Sequence, residues 1–184
     1  MKHFILLLFL SFSVYASAQC NELIKVSHEE YEKNFIEGKQ PQSSADFVTK
    51  DGVTQIEGTD FIYNDSYEDG DVLVYKAMGK LNDMYVLKQE DELREYCYLL
   101  RDKPSLDVEL CGEPVMYNNY ILAIEGSHTD YALDVEVWKV KSNKVKLIKK
   151  ISLTPCKIYV VDSAFISNGY IYLNYESEFY KVKI

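Results

Sequence analysis

Trp138-Lys139-Val140-Lys141-Ser142-Asn143-Lys144-Val145-Lys146-Leu147 is the stretch whose reading decides the fold. Apolar and charged residues alternate on both sides of Ser142-Asn143, the period of two that a half-buried strand needs. A two-residue turn there sets Lys141 opposite Lys144 and Lys139 opposite Lys146, all on one face, with Trp138, Val140, Val145 and Leu147 on the other. Opposed like charges destabilise a sheet, so the lysine face must be wet and the apolar face covered. Trp138 is therefore expected to be buried in the main core. Lysines on an edge strand also guard against strand-to-strand aggregation, and that role accounts for the lysine face without a partner.

The same signature recurs along the chain. Runs of Val, Ile, Tyr and Phe, parted by turn residues such as Asp51-Gly52, Asp69-Gly70 and Asn168-Gly169, mark strands at 53–57, 71–77, 84–89, 95–100, 106–110 and 120–125. Further strands are expected at 132–140, 145–153, 157–161, 170–175 and 179–182. This rhythm predicts a mainly β chain, as an antiparallel sandwich, a barrel or a curved sheet. An internal echo offers a second architecture. Asn119-Tyr120-Ile121-Leu122 matches Gly169-Tyr170-Ile171-Tyr172, and Trp138-Lys139-Val140 answers Tyr180-Lys181-Val182, which is the strand rhythm of a small or partial β-propeller-like array.

One short helix near the N-terminus interrupts the pattern. Ser27 with Glu30 three residues on forms a capping box, Val26 and Tyr31 form a hydrophobic staple, and Gly38 supplies a left-handed stop before Pro41. Tyr31 and Phe35, four apart, share one face of this helix.

The chain has 184 residues, 47% of them hydrophobic, with only 8 Gly and 4 Pro, which excludes collagen-like, low-complexity and disordered classes. Residues 1–18 read as a secretory signal peptide. Lys2 opens it, Phe4 to Phe12 is an almost unbroken apolar run, and Ala16-Ser17-Ala18 is a small-x-small site with cleavage expected after Ala18. The run is well short of the ~20 apolar residues that span a bilayer. Cys20 raises the alternative of a lipid anchor, but such signals place a small residue ahead of the cysteine and Gln19 is not small. Residues 19–184 are then expected to form a single β-rich domain, periplasmic or secreted.

Losing residues 1–18 removes Lys2 and no acid, taking the formal charge from −9 to −10. That balance disfavours nucleic acid and anionic membrane surfaces and suits a basic protein partner. Cys20, Cys97, Cys111 and Cys156 all lie beyond the cut, and an even count in an exported chain predicts disulfides. A three-residue loop at Lys103-Pro104-Ser105 would set Cys97 opposite Cys111, leaving Cys20 to pair with Cys156. Zinc is disfavoured because the sequence holds no C-x-x-C pair.

Chemistry-bearing motifs are sparse. Beyond residue 18 the histidines are His28, in the first turn of the helix, and His128, in the polar loop Gly126-Ser127-His128-Thr129-Asp130. A catalytic triad is usually assembled from separated segments, so that loop reads as a turn. Phosphate-loop, zinc-helix and calcium-loop patterns are absent from the sequence, and no cofactor is expected. Carboxylate pairs for hydrolysis remain a third possibility that spacing alone does not test.

Charge is segregated along the chain. From Asp51 to Tyr75 there are seven acids and no Lys or Arg, with Tyr63, Tyr67 and Tyr75 among them, whereas Lys139 to Lys150 holds six lysines and no acid. Rigid rings among carboxylates suit recognition of a basic protein, and the contact is expected at Asp65, Tyr67, Glu68, Asp69 and Asp71. The expected function is an exported, non-enzymatic binding module of the inhibitor or immunity type, for a periplasmic toxin or wall-degrading enzyme. The alternative is a cell-envelope carbohydrate-binding β domain with Tyr and Trp138 stacking on sugars.

Overall fold

The hairpin at Ser142 forms in the expected register, with Lys141 paired to Lys144, Lys139 to Lys146 and Trp138 to Leu147. It belongs to a mainly β structure, a computed structural model that describes residues 20–68, 71–91, 95–100, 108–125, 133–142 and 144–184. Four antiparallel sheets follow one another along the chain. Sheet I is β2 (Phe47–Lys50), β3 (Val53–Ile56) and β4 (Ile62–Asn64). Sheet II runs from β5 (Ser66–Glu68) through β6 (Asp71–Leu81), β7 (Met84–Glu90) and β8 (Glu95–Leu100) to β9 (Val108–Leu110). Sheet III holds β10 (Pro114–Tyr117), β11 (Tyr120–Ile124), β12 (Asp134–Lys141) and β13 (Lys144–Ser152). Sheet IV holds β14 (Ser163–Ser167), β15 (Tyr170–Tyr175) and β16 (Glu178–Lys183), and its fourth strand is β1 (Ile24–Val26), so the two ends of the described chain are zipped together. Sheets I to III are meanders, sheet IV is a meander with β1 added at β16, and among the described residues none closes into a barrel.

Alternation along the strands gives the sheets two apolar faces, and these stack in chain order. Ile56 and Phe61 of the sheet I segment cluster with Tyr85, Leu87 and Leu100 of sheet II. The opposite face of sheet II, with Val86, Cys97 and Leu99, meets Met116, Ile121 and Ala123 of sheet III. Leu122, Val135 and Val137, pointing the other way from sheet III, pack on Ile166, Ile171 and Val182 of sheet IV. Helix α1 (His28–Asn34) covers the remaining face of sheet IV, with the Tyr31 ring 4.9 Å from Phe165 and 4.8 Å from Phe179.

Ser27 caps α1 as the sequence predicts, its Oγ accepting from the Glu30 N–H at 3.1 Å. The helix stops earlier than expected, with Phe35 as C-cap, and Phe35 still reaches Phe165 at 5.3 Å. Gly38 has a different use from the left-handed stop. A Cβ there would stand 2.3 Å from Val115 Cγ1 and 2.6 Å from the Tyr117 ring, so glycine is needed for close approach to β10.

From that point the chain runs as a strap over the open edges of two sheets. Lys39 exchanges both backbone bonds with Met116 on β10, at 2.8 and 2.9 Å, and Gln42 does the same with Lys80 on β6, at 2.7 Å each. Exposed strand edges invite foreign pairing, and the strap seals them from within the chain. It also explains Gly79, whose φ is +112° and whose absent Cβ would lie 2.1 Å from the Gln42 carbonyl oxygen. On β14 the Tyr117 hydroxyl donates to the Ala164 carbonyl at 3.1 Å.

Three sequence expectations are corrected here. Cys20 and Cys156 are joined by a disulfide, but Cys97 and Cys111 are free thiols. Cys97 pairs with Leu110 in the ladder, one residue away from the expected register, so Cys111 falls past the strand end. The Cys111 thiol turns to sheet III instead and donates to the Ala123 and Asp134 carbonyls at 3.5 and 3.7 Å. The Lys103-Pro104-Ser105 loop lies outside the described residues. The second correction is Trp138, which is half-buried on the rim of the sheet II–III core with Val140 and Val145. A bulge between Val137 and Trp138 shifts the strand pairing there and leaves Leu147 and Ile148 exposed. The third is the strand expected at 157–161, which pairs with no strand among the described residues; a 3-10 turn at Thr154–Cys156 and Lys157 in the left-handed region (φ 63°) redirect the chain there.

Candidate interaction surface

Sheet I and β5 are joined through one residue, Asp65. Its backbone N–H donates to Gly52 O at 2.8 Å and its Oδ1 accepts from the Tyr75 N–H at 2.9 Å. The turn that offers Gly52 O is Asp51-Gly52, with φ values of 52° and 74°, the two positive angles of the primed hairpin turns that favour Asp-Gly. Asp65 is thus a positioning residue that holds the corner between two sheets, and one of its oxygens is already used. Thr54 reinforces the corner by donating to Tyr75 O at 3.3 Å.

Beyond this corner, β5 is the outer strand of sheet II and carries Tyr67 with 69% of its surface exposed. Tyr67 stands opposite Val72, itself partly exposed, and Glu68 stands opposite Asp71 at the hairpin end. Asp69 lies outside the described residues. On the sheet I side of the corner, Val48, Gln55 and Ile62 form one row across β2, β3 and β4 and face solvent, with Ile62 56% exposed. Asp51, Glu57 and Asp60 are exposed in the same segment. Sequence reasoning missed the Val48–Ile62 row because neither β2 nor β4 was anticipated; alternation in Phe47-Val48-Thr49 is its only local signal.

The lysine face behaves differently. Lys141, Lys144 and Lys146 make no ion pair among the described residues, and the Lys139 ammonium sits 5.3 Å from the Tyr120 ring centre. Lys149 pairs with Glu22, and Lys150 with Asp134 at 2.9 Å and Glu136 at 3.1 Å.

Two polar clusters flank the sheet II–III core. In one, buried Glu136 accepts from the Cys111 N–H at 3.2 Å, the Trp138 indole N–H at 3.0 Å and Lys150 at 3.1 Å. In the other, Lys88 meets Glu90, Glu95 and Glu113 at 3.2, 2.9 and 3.0 Å. Burial works against the Lys88 charge, but the hydrogen bonds to Glu95, Glu113 and Glu90 outweigh it and raise its pKa. Burial pushes the Cys97 thiol up to about 12 and raises that of Cys111 as well, so both are poor nucleophiles. His28 is exposed beside Glu32, 3.5 Å away, and rests on Phe179; His128 lies outside the described residues. Among the described residues no group of His, Cys, Asp and Glu is arranged to hold a metal ion, and no helix is long and apolar enough to cross a membrane.

Comparison with protein-family models, with curated proteins and with solved structures finds no match to this chain.

Proposed function

We propose that the chain is an exported, non-enzymatic binding module that inhibits or neutralises a basic protein, in the manner of an immunity protein or an inhibitor of a periplasmic toxin or wall-degrading enzyme. The observation that carries this reading is Tyr67, 69% exposed on the outer strand of sheet II, within a segment of seven acids and no Lys or Arg. A large ring held on a pinned hairpin offers contact area at low entropic cost, and the carboxylates steer a basic partner towards it. Asp65 contributes by fixing the corner; Tyr67, Glu68, Asp69 and Asp71 are the proposed contacts. The N-terminal 18 residues would deliver the chain to an oxidising compartment, where the Cys20–Cys156 disulfide persists.

The test is affinity capture by the mature protein from an envelope and secreted-protein extract, at low and high salt. A basic protein retained at low salt and released at high salt is the expected result. Tyr67→Ala should raise the off-rate, whereas Glu68→Lys with Asp69→Lys should slow association and flatten its salt dependence. Retention on a neutral glycan column, insensitive to salt, would instead support carbohydrate binding.

A further inference from the structure

Residues 157–161, Lys-Ile-Tyr-Val-Val, have the composition of a strand, yet they join no sheet. The chain passes from Ile158 to Val161 without turn or bend. Its ends are fixed: the Ile158 N–H donates to Leu153 O at 3.3 Å, next to the disulfide at Cys156, and the Asp162 N–H donates to Asn174 O at 2.9 Å. Between these two points Tyr159, Val160 and Val161 make no backbone hydrogen bond among the described residues. Tyr159 is 55% exposed and Val160 48%.

Direction follows from alternation. In an extended chain the backbone N–H and C=O groups of successive residues point to opposite sides. Ile158 donates back to Leu153 O and Asp162 across to Asn174 O, so an extended course between them turns the N–H groups of Tyr159 and Val161 to the opposite, outer side. Two residues at i and i+2, each presenting a donor and an acceptor, are what an added strand requires. The acids beside them, Asp162 and Glu176, are both exposed and joined through the Glu176 N–H to Asp162 Oδ2 bond at 2.9 Å, and outnumber the one exposed cation of the segment, Lys157.

We infer that Tyr159–Val161 is a strand-addition site that takes an extended segment carrying Lys or Arg. The backbone pairs with Tyr159 and Val161, and the basic side chain meets Asp162 and Glu176. The sign of the segment's charge rests on the reading of this chain as a module for a basic partner; the open backbone edge does not.

The probe is a peptide of ~6 residues alternating valine and lysine, about one strand in length. Its binding should protect the Tyr159 and Val161 amides from hydrogen exchange, resolved by NMR, while leaving Val160 unprotected. Tyr159→Pro removes an outward N–H and should weaken binding at least tenfold; Val160→Pro removes an inward one and should change it less than twofold. Tyr159→Phe should bind as the wild type does. Should Tyr159→Pro unfold, the same question is put to the wild-type protein with a backbone N-methylated peptide, which should not bind. Absence of protection at Tyr159 and Val161, equal binding of a valine–glutamate peptide, or protection that appears without peptide as protein concentration rises would each overturn the proposal. Capture through Tyr67 is unaffected by these outcomes, so the two readings fail separately.

Discussion

In sheet III the turn Asn118-Asn119 leads into β11, whose Tyr120 ring lies 5.3 Å from the Lys139 ammonium on β12; in sheet IV the turn Asn168-Gly169 leads into β15, whose Tyr170 ring lies 5.3 Å from Lys181 on β16. The internal echo in the sequence is thus a shared strand pair, second strand against third, but not one register: Tyr120 stands opposite Lys139, whereas Tyr170 stands opposite Lys183 and Lys181 opposite Tyr172. Sheets I and II are built otherwise: a corner pinned by Asp65, a bulge between Ala77 and Gly79, and a strap held by Gln42. The repeated half leans on its neighbours too: β10 is bonded to Lys39 of the strap, and one face of sheet III is covered by sheet II. The irregular half depends on side chains such as Asp65 and Thr54 to hold its corner, and it leaves Tyr67 and the row from Val48 to Ile62 uncovered, as the other half leaves Leu147, Ile148, Tyr159 and Val160. What sets the irregular half apart is that its uncovered side chains sit in or beside a segment of seven acids with no Lys or Arg.

The comparison breaks most readily at the zipper between β1 and β16. The Cys20–Cys156 disulfide closes a loop across 136 positions, and replacing both cysteines with alanine should cost ~5 kcal/mol in the chain-entropy model. Denaturant unfolding of the double variant checks this, and loss of helix α1 from sheet IV should accompany it. Next in size is Gly79→Ala, which drives a Cβ against the Gln42 carbonyl and should cost roughly 3 kcal/mol. Its loss should be local at first, with rapid amide exchange at Gln42 and Lys80 while sheets III and IV stay protected.

Trp138→Ala should cost about 2 kcal/mol, short of the ~3–5 kcal/mol for a fully buried ring, because the side chain is half-buried and its indole N–H anchors Glu136. Urea titration of the variant measures it, and wild-type emission should lie between the buried and exposed limits.

Alkaline pH acts on the sheet II–III and III–IV cores together. Burial raises Cys97 from 9.0 to about 12 and Tyr117 from 10.0 to about 12. In both cases the folded state holds its proton more tightly than the unfolded chain, so this contribution is complete below pH 9 and is lost as pH rises towards 12. Melting temperatures across that range should fall, and Cys97→Ala should make the fall shallower.

Much of the scaffold could be read from the chain before its structure. The strand 95–100 and the strand 170–175 are observed with the expected limits, the capping box at Ser27 forms, and the register of the lysine hairpin holds. These features are local: alternation, turn chemistry and capping act within a few residues. What escaped were features fixed by distant partners. β1 is a strand because β16 lies beside it, Gly38 is a glycine because β10 approaches it, and Cys111 remains a thiol because the ladder places Leu110 opposite Cys97. The strand expected at 157–161 shows the converse, since composition favours pairing but the segment joins no sheet among the described residues. For the site, composition singled out the acidic segment as a candidate contact, whereas the structural duty of Asp65 depends on Tyr75, ten residues away.

The smallest expected effect on stability is also the one that bears on function. Tyr67→Ala should change the unfolding free energy by less than ~0.5 kcal/mol, as for an exposed residue away from any special feature. The most direct test of the central claim uses this variant beside Lys141→Glu/Lys144→Glu, both immobilised and presented with the same extract at low salt. If the irregular half is the contact surface, the wild type and the lysine variant retain the same basic protein and Tyr67→Ala loses it. Retention that survives Tyr67→Ala and disappears with the lysine variant would place the contact on the repeated half and contradict the account.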